Sequence, residues 1–300
     1  MINGIINVYK EKGFTSFDVV AKMRGIFHQK KIGHTGTLDP DAEGVLPVCL
    51  GKATKVCDLL TDKDKEYKAV LLLGMETDTQ DISGEVINKA EVNVSEEEVR
   101  QVVLSFVGEY EQIPPMYSAL KINGQKLCDL ARKGITVERK ARPVTIHSIE
   151  ITSINLPEVE MTVSCSKGTY IRTLCDDIGK KLGCFGCMKS LLRTQVDKFV
   201  LADAYKLSEL EELVKLPEDQ WDFVAPVDTV FFKYVEVVTK QEAQKLVVNG
   251  NRIPCELIES FSENHMQETV RLYDSENKFI GLYTYLDESK EFKPIKLFME

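Results

Sequence analysis

The chain has 300 residues, of which 43% are apolar and 28% charged, with a formal net charge of −9. These values are typical of globular proteins and exclude a disordered chain, a fibre and a disulfide-stapled miniprotein. The longest aliphatic run, Ala69–Leu73, is far shorter than the ~20 residues that a membrane-spanning helix needs.

The first 225 residues mix predicted strands and helices without a regular alternation. Apolar runs predict the strands, and polar caps followed by apolar residues at helical spacing predict the helices. In chain order we predict a strand at 5–9, a helix capped by Thr15, a long structured loop at 33–51, a strand at 65–74, a helix from Ser95 to Phe106, a short helix at 126–133, strands at 144–154 and 159–165, a helix at about 170–182, a strand near 191–200 and a helix capped by Ser208. This mixture predicts an α+β fold with a largely antiparallel sheet flanked by helices.

A second, smaller unit is predicted after Pro226 and Asp228. Beyond them the chain is β-rich, with one helix at 240–248 and a hairpin that turns through Asp274–Asn277. We therefore expect a domain of residues 1–229 followed by a domain of residues 230–300.

The acidic excess is confined to the last third of the chain. Residues 201–300 hold 11 Lys and Arg against 20 Asp and Glu, whereas residues 1–200 hold 27 of each. Within Lys121–Arg142, seven residues are basic and two are acidic. Such a patch is suited to phosphate, although a local charge run is more often only a solvated face.

The loop at 33–51 carries the first residues suited to chemistry. Asp39 precedes a proline, which favours an extended backbone, and the glycines around it allow a close approach by other groups. An isolated Asp-Pro pair is most often a helix start. The surrounding loop, which also carries His34, favours an acidic site instead.

The second such stretch is Ser164–Thr173. A strand ends there, a glycine turns the chain, and Tyr170 and Arg172 follow at the start of a helix. An arginine at this place could pair with a carboxylate, aim it and hold it ionised. The alternative is a surface ion pair worth ~0–1 kcal/mol.

The cysteines and histidines do not form a metal signature. Cys184 and Cys187 have the spacing of a metal knuckle, but no second Cys or His pair lies at a matching distance, and structural zinc normally takes four ligands. Scattered cysteines in a chain of this size favour reduced thiols in a cytosol. No nucleotide-binding glycine fingerprint follows a strand. We therefore expect a cytoplasmic protein without metal or cofactor, in which Cys184 and Cys187 are ordinary half-buried thiols.

The ordered motifs between residues 5 and 200 closely resemble those of TruB-type tRNA pseudouridine-55 synthases of bacteria. The similar segments are His34–Pro40, Gly44–Pro47, Leu50–Lys55, Lys65–Tyr67, Leu73–Gly74, Thr77–Thr79 with Asp81 and Gly84, Gln112–Lys121, Ala131–Arg132, Arg142–Pro143, Ser166–Arg172 and Leu191–Arg193. The resemblance implies a pseudouridine-synthase fold and, less specifically, a small PUA-like RNA-binding domain at the C-terminus.

The resemblance also implies a reaction on uridine in the T loop of tRNA. The N1–C1′ bond breaks, the base rotates and C5 bonds to C1′, all in a closed pocket that receives the flipped base. Asp39 would be the essential carboxylate, which attacks C1′ or the ring or assists glycal formation. Arg172 would pair with Asp39, and Tyr67 would stack on the base and handle the C5 proton.

Further roles follow from the same resemblance. Tyr170 and Leu191 would line the pocket, His34 would support the vacated T loop, and Lys10 would belong to the substrate-binding set. The family commonly has Lys-Pro where this chain has Lys10-Glu11, and an aromatic residue where it has Cys128. The expected contacts with the RNA backbone are Lys121, Lys126, Arg132, Lys133 and Arg142.

Two other classes of protein remain as alternatives. A non-catalytic tRNA-binding or folding module on this scaffold would be expected to lack Asp39, Tyr67 or Arg172, and all three are present. A dyskerin-type synthase would work with a guide RNA and protein partners, and usually carries other extensions. We therefore expect a monomeric enzyme that acts on the T-stem loop of tRNA without a guide RNA.

Overall fold

A computed structural model describes residues 1–259 and 269–299. In these residues the α-helices are α1 (Ser16–Ile26), α2 (Cys57–Thr61), α3 (Glu96–Leu104), α4 (Leu127–Ala131), α5 (Ile171–Lys181), α6 (Leu207–Leu213) and α7 (Gln244–Val248). The strands are β1 (Gly4–Lys10), β2 (Ile32–His34), β3 (Glu43–Leu50), β4 (Lys65–Leu73), β5 (Met75–Thr77), β6 (Val86–Lys89), β7 (Gly108–Gln112), β8 (Lys121–Ile122), β9 (Gln125–Lys126), β10 (Arg142–Asn155), β11 (Glu158–Cys165), β12 (Gly186–Val196), β13 (Phe199–Val200), β14 (Val235–Val238), β15 (Ile253–Pro254), β16 (Thr269–Tyr273), β17 (Phe279–Leu286) and β18 (Glu291–Leu297). None of the helices described is long and apolar enough to cross a bilayer.

A nine-stranded sheet forms the centre of the molecule. Its strands lie in the order β1-β3-β12-β4-β11-β10-β7, with β2 paired to β3 and β13 to β12. Every pair is antiparallel except β3 with β12. Helices α3 and α5 pack on the half of the sheet that contains β4, β10, β11 and β12, while α1 and α6 cover β1 and β3. The predicted α+β class with a largely antiparallel sheet is confirmed.

The C-terminal residues form a separate five-stranded sheet in the order β14-β16-β17-β18-β15. It packs directly against the first sheet, because Leu282 and Phe298 share one buried cluster with Ile5 and Phe231. The phenol of Tyr273 also donates a hydrogen bond to Asp228, at 2.7 Å. The predicted hairpin through Asp274–Asn277 is confirmed as β16 and β17.

Capping chemistry explains the helix starts that the sequence predicts well. Thr15 caps α1 and Ser95 caps α3, each through a reciprocal capping box with the residue three positions later. The helix predicted at Ser208 begins instead at Leu207 and is capped by Lys206, whose N–H donates to the Glu209 side chain. The helices predicted at 126–133 and 240–248 are shorter α-helices, α4 and α7, and α7 follows a 3-10 turn at Gln241–Ala243.

The prediction of one long loop at 33–51 is wrong, because β2 and β3 occupy most of this segment. Strand β3 lies between β1 and β12 with both faces buried, so its apolar residues run on without the alternation that marks a half-exposed strand. Pro47 lies within this interior strand, opposite Asn7. Proline is usually disfavoured at such a position because it has no N–H to donate to a neighbouring strand. Only residues 35–42 remain as a loop, which contains Asp39 and joins the end of β2 to the start of β3.

Candidate active site

The loop between β2 and β3 places Asp39 beside the start of the interior strand β3. Ser16, at the start of α1, holds this loop, since its hydroxyl accepts from the Leu38 N–H at 2.9 Å and donates to the Leu38 carbonyl at 3.3 Å. The Ala42 N–H donates to the Asp39 carbonyl at 3.1 Å. The Asp39 side chain keeps 37% of its surface exposed, so an external molecule can reach this carboxylate.

Lys10 supports the same loop from inside the protein. Its side chain is fully buried, and its ammonium donates to the carbonyls of Ala42 at 2.6 Å, Pro40 at 3.1 Å and Glu11 at 3.2 Å. Burial lowers the pKa of Lys10 to about 8. Although the sequence predicts Lys10 among the substrate-binding residues, its three donors are engaged with the backbone, so its contribution is to hold the loop.

Arg172 orients the Asp39 carboxylate with a guanidinium that makes four hydrogen bonds through its two Nη groups and an ion pair through Nε. Its Nε and Nη2 face the two Asp39 oxygens at 3.0 and 3.3 Å, which forms a bidentate fork. Nη2 also donates to the Tyr117 carbonyl at 2.8 Å, and Nη1 donates to the Thr79 carbonyl at 3.1 Å and to Asp81 at 3.3 Å. With 5% of its surface exposed, Arg172 is a fixed part of the protein interior.

The electrostatics of Asp39 balance burial against this arginine. Burial raises the pKa of Asp39 above its ordinary value, and the charge of Asp81 adds to the rise. The charges of Arg172 and, to a lesser extent, Lys10 oppose it. The predicted pairing of Arg172 with Asp39 is present, but it limits the rise in pKa without reversing it.

Tyr67 and Arg193 form a second buried pair beside the loop. They are register partners on β4 and β12, and the guanidinium contacts the Tyr67 hydroxyl. Arg193 has 1% of its surface exposed and donates to the carbonyls of Val45 at 2.7 Å and Gly36 at 3.3 Å. Burial raises the pKa of Tyr67, while the Arg193 charge works against the rise, so the resting group is a neutral phenol beside a cation.

The other predicted pocket residues lie around these pairs. His34 ends β2, and its Nδ1 accepts from the Gly36 N–H at 3.3 Å, while burial lowers its pKa and favours the neutral imidazole. Tyr170 precedes α5 and is fixed through its backbone by both ends of the Gln112 side-chain amide, at 2.8 and 3.0 Å. Leu191 on β12 belongs to the same buried cluster as Tyr67.

The predicted RNA-backbone residues lie outside this cluster and are exposed. They are distributed over the β8–β9 hairpin, α4 and its end, and the start of β10: Lys121, Lys126, Arg132, Lys133 and Arg142. Arg132 makes an exposed ion pair with Asp129 at 3.5 Å, which leaves its charge accessible. The segment that carries these residues begins just after Tyr117, whose carbonyl is bound by Arg172.

Sequence reasoning does not assign roles to Asp81, Thr79 or Arg193. A signal for Arg193 is present, because an arginine within the apolar residues of an interior strand must find buried acceptors. Asp81 gives a weaker signal, since its partner is 91 residues away in the chain. Cys184 and Cys187 are more buried than expected, at 3% and 0% exposure, and burial raises the pKa of Cys187 to about 11.

Comparisons with known proteins agree with this geometry. Residues 24–171 match the family described as TruB family pseudouridylate synthase (N terminal domain), and residues 172–231 match the tRNA pseudouridylate synthase B C-terminal domain. A protein named tRNA pseudouridine synthase B from Lachnoclostridium phytofermentans is 54% identical, with 99% of this chain and 100% of that protein covered. Its namesake from Alkaliphilus oremlandii is 48% identical, with 99% and 97% covered.

Solved structures show the same architecture. The Cbf5-Nop10-Gar1 complex contains a chain that is 28% identical, with a TM-score of 0.72 over 99% of this chain and 85% of that one. An H/ACA RNP bound to a substrate RNA containing 2′-deoxyuridine contains another, which is 25% identical with a TM-score of 0.71 over the same shares. Sequence motifs, family models and full-length relatives thus converge, and the chain belongs to the TruB family of pseudouridylate synthases.

Proposed function

We propose that this chain is a tRNA pseudouridine synthase, an isomerase that converts uridine 55 in the T loop of tRNA to pseudouridine. The observation that carries the proposal is the partly exposed Asp39 carboxylate, held in a bidentate fork by the buried Arg172. The full-length relatives at 54% and 48% identity are named for the same tRNA reaction.

The proposed chemistry follows from the charges around the target nucleotide. Positive charge develops at C1′ as the glycosidic bond breaks, and a carboxylate held against C1′ stabilises it, as in glycosidases. Arg172 orients the Asp39 carboxylate and limits the rise in its pKa. Attack by Asp39 on C1′ or on the ring and assistance in glycal formation all use the same fork.

Tyr67 is proposed to stack on the flipped base and to handle the C5 proton. Its hydroxyl first releases its own proton to solvent, and the resulting phenolate, whose cost the Arg193 charge lowers, then accepts the proton from C5. His34, Tyr170 and Leu191 surround the base and the vacated loop. No step in this scheme needs a cofactor or a metal, because the glycosidic electrons stay within the base and sugar.

Replacing Tyr67 by Phe separates these two roles. The ring remains but the hydroxyl beside Arg193 is lost, so release of C5 tritium from labelled tRNA should fall about 100-fold while the affinity for tRNA is unchanged. Tyr67→Leu also removes the stacking surface and should weaken binding of the flipped base. Release at the wild-type rate by Tyr67→Phe would restrict this residue to stacking.

The RNA interface is proposed to include the insertion at about 121–143, within a catalytic domain of residues 1–229. Residues 230–300 are proposed as a PUA-like RNA-binding domain. The exposed cations of the insertion support the first assignment, and the separate five-stranded sheet supports the second.

Charge reversal at Arg132 and Lys133 tests the insertion. We expect weaker tRNA binding and a slope of log K against log salt that is shallower by about one for each phosphate that the protein no longer neutralises. Lys215, an exposed lysine two residues beyond α6, provides the control: Lys215→Glu should leave the slope unchanged. An unchanged slope in the double reversal would remove the insertion from the interface.

The substrate is proposed to be tRNA alone, bound by a monomer in the cytoplasm. The structural relatives whose titles name an H/ACA RNP or a Cbf5 complex are 25–28% identical, against 54% for a relative named for tRNA. This difference favours a stand-alone enzyme over one that needs a guide RNA.

The direct test is tritium release from a tRNA transcript labelled at C5 of uridine, without added metal or cofactor. Release should require Asp39, and should disappear when uridine 55 is replaced by cytidine. Tight binding without release would favour a non-catalytic tRNA-binding module or an enzyme that lacks a partner.

A further inference from the structure

Gln80 occupies an unusual place in the segment that follows β5. Its φ is +65°, in the left-handed region that side-chain-bearing residues seldom adopt. The two residues beside it, Thr79 and Asp81, both accept hydrogen bonds from Nη1 of Arg172, at 3.1 and 3.3 Å. The left-handed turn therefore brings a main-chain carbonyl and a carboxylate to the same guanidinium nitrogen.

The Gln80 side chain ties this turn to the helix that carries Arg172. Its Nε2 donates to Asp176 at 2.8 Å, and its Oε1 accepts from the Thr173 hydroxyl at 2.8 Å. Thr173 is the neighbour of Arg172, and Asp176 lies one turn later on α5. The Gln80 amide thus binds two side chains of α5 close to the residue from which the Arg172 side chain extends.

A glutamine suits this place for its mixed donor and acceptor character. Asp176 and Thr173 are each 2% exposed, so both need partners inside the protein. Lys180 also donates to Asp176, at 2.8 Å, so Gln80 is one of two donors to that carboxylate. A carboxylate at position 80 would lose the donor and would face the Asp176 carboxylate. A leucine would fill the volume without either hydrogen bond.

The backbone of the turn is attached independently of this side chain. Met188 on β12 donates to the Gln80 carbonyl at 3.0 Å and accepts from the Ile82 N–H at 3.0 Å. Loss of the Gln80 amide should therefore leave the segment folded against β12. What it removes is the link between the turn and α5.

We propose that Gln80 is a positioning residue, which locks the turn at 79–81 to α5 and thereby fixes the direction in which Arg172 holds the Asp39 carboxylate. This inference rests on the proposed synthase function. It predicts that loss of the Gln80 amide impairs the chemical step and changes the protonation of Asp39, without a change in the affinity for tRNA.

The experiment compares Gln80→Leu with Gln80→Gly, Thr173→Val and the double variant Gln80→Leu/Thr173→Val. Gln80→Gly removes the side chain but relieves the left-handed backbone, so a rate loss caused by general destabilisation would be smaller in this variant. Gln101→Leu is the matched control, because the side chain of this exposed glutamine on α3 donates along its own helix, to Glu97 at 3.1 Å. Single-turnover tritium release is measured from pH 5 to 9, together with the Kd for tRNA and the Tm.

We expect both Gln80 variants to lose about tenfold in the single-turnover rate at unchanged Kd. The acid limb of their pH–rate profile should move to higher pH. A less firmly held Arg172 stabilises the ionised Asp39 carboxylate less, so the pKa of Asp39 rises further. The double variant should be no slower than Gln80→Leu, since both changes break one shared link.

The proposal is overturned if Gln80→Leu matches Gln101→Leu in rate and acid limb, or if its loss adds fully to that of Thr173→Val. The proposal would also be overturned if Gln80→Leu were slow and Gln80→Gly had the wild-type rate. Backbone strain at position 80, and not the orientation of Arg172, would then explain the loss. Wild-type protein that releases no tritium from tRNA would contradict the proposed function itself, and this inference with it.

Discussion

Asp39→Asn is expected to lower the rate of pseudouridine formation by at least about 10³-fold, while tRNA binding stays at the wild-type level or becomes slightly tighter. The change removes the charge that faces C1′ but keeps almost the same volume and one acceptor oxygen for Arg172. It also removes a negative charge from a surface that meets phosphates. Tritium release and filter binding with the same transcript measure both effects.

The stability of this variant distinguishes loss of chemistry from loss of fold. Because burial raises the pKa of Asp39, the native protein binds a proton there more readily than the unfolded chain does, and the ionised carboxylate costs folding free energy at neutral pH. Asparagine carries no such cost, but its NH2 group faces one N–H of the buried Arg172, so we expect these effects to offset each other and the Tm to change little. A large drop in Tm, or turnover that persists in Asp39→Asn, would contradict the role of this carboxylate.

Arg172→Lys is expected to be the second most damaging change, even though it keeps the positive charge. A lysine has three N–H groups at one point and cannot serve acceptors on Asp39, Asp81, Thr79 and Tyr117 together. Buried acceptors left unpaired each cost about 1–3 kcal/mol, so the Tm should fall. With the fork gone, we expect the rate to fall about 100-fold.

Arg172→Lys should also change the pH dependence of the rate. In the proposed mechanism activity requires ionised Asp39, so it should be lost as the pH falls through the pKa of Asp39, which already lies above its ordinary value. A weaker partner lets that pKa rise further, so the acid limb should move to higher pH than in the wild type. Arg132→Lys, an exposed arginine of the insertion, should leave the limb in place. An unmoved limb in Arg172→Lys would show that this arginine does not govern the ionisation of Asp39.

Local signals explain which parts of the fold the sequence predicts. Capping boxes at Thr15 and Ser95 mark the starts of α1 and α3, because their partners lie three residues away. Strand β3 escapes prediction because it is buried on both faces and contains Pro47, so neither alternation nor composition marks it. Its apolar residues indicate only that the segment is ordered.

The same distinction applies to the active site. The Asp39–Arg172 pair is expected from the resemblance to the TruB family, whereas the residues alone indicate only that an arginine at this helix start could pair with a carboxylate. The remaining acceptors of Arg172 are not predictable, since they are carbonyls and a carboxylate 55 to 93 residues away that only the folded sheet brings together. Lys10 shows the reverse error, in which a polar residue near the motif is assigned to the substrate although the backbone uses all its donors.

The packing between the two sheets has a consequence for selectivity. Leu282 and Phe298 of the C-terminal sheet share their core with Ile5 and Phe231, so close packing and not a tether sets the spacing of the two units. An RNA that touches both units must then present its uridine at one fixed separation from its second contact. A folded molecule with rigid elbow geometry can satisfy that requirement, whereas a short linear RNA with the same bases would have to bear the entropy of adopting it.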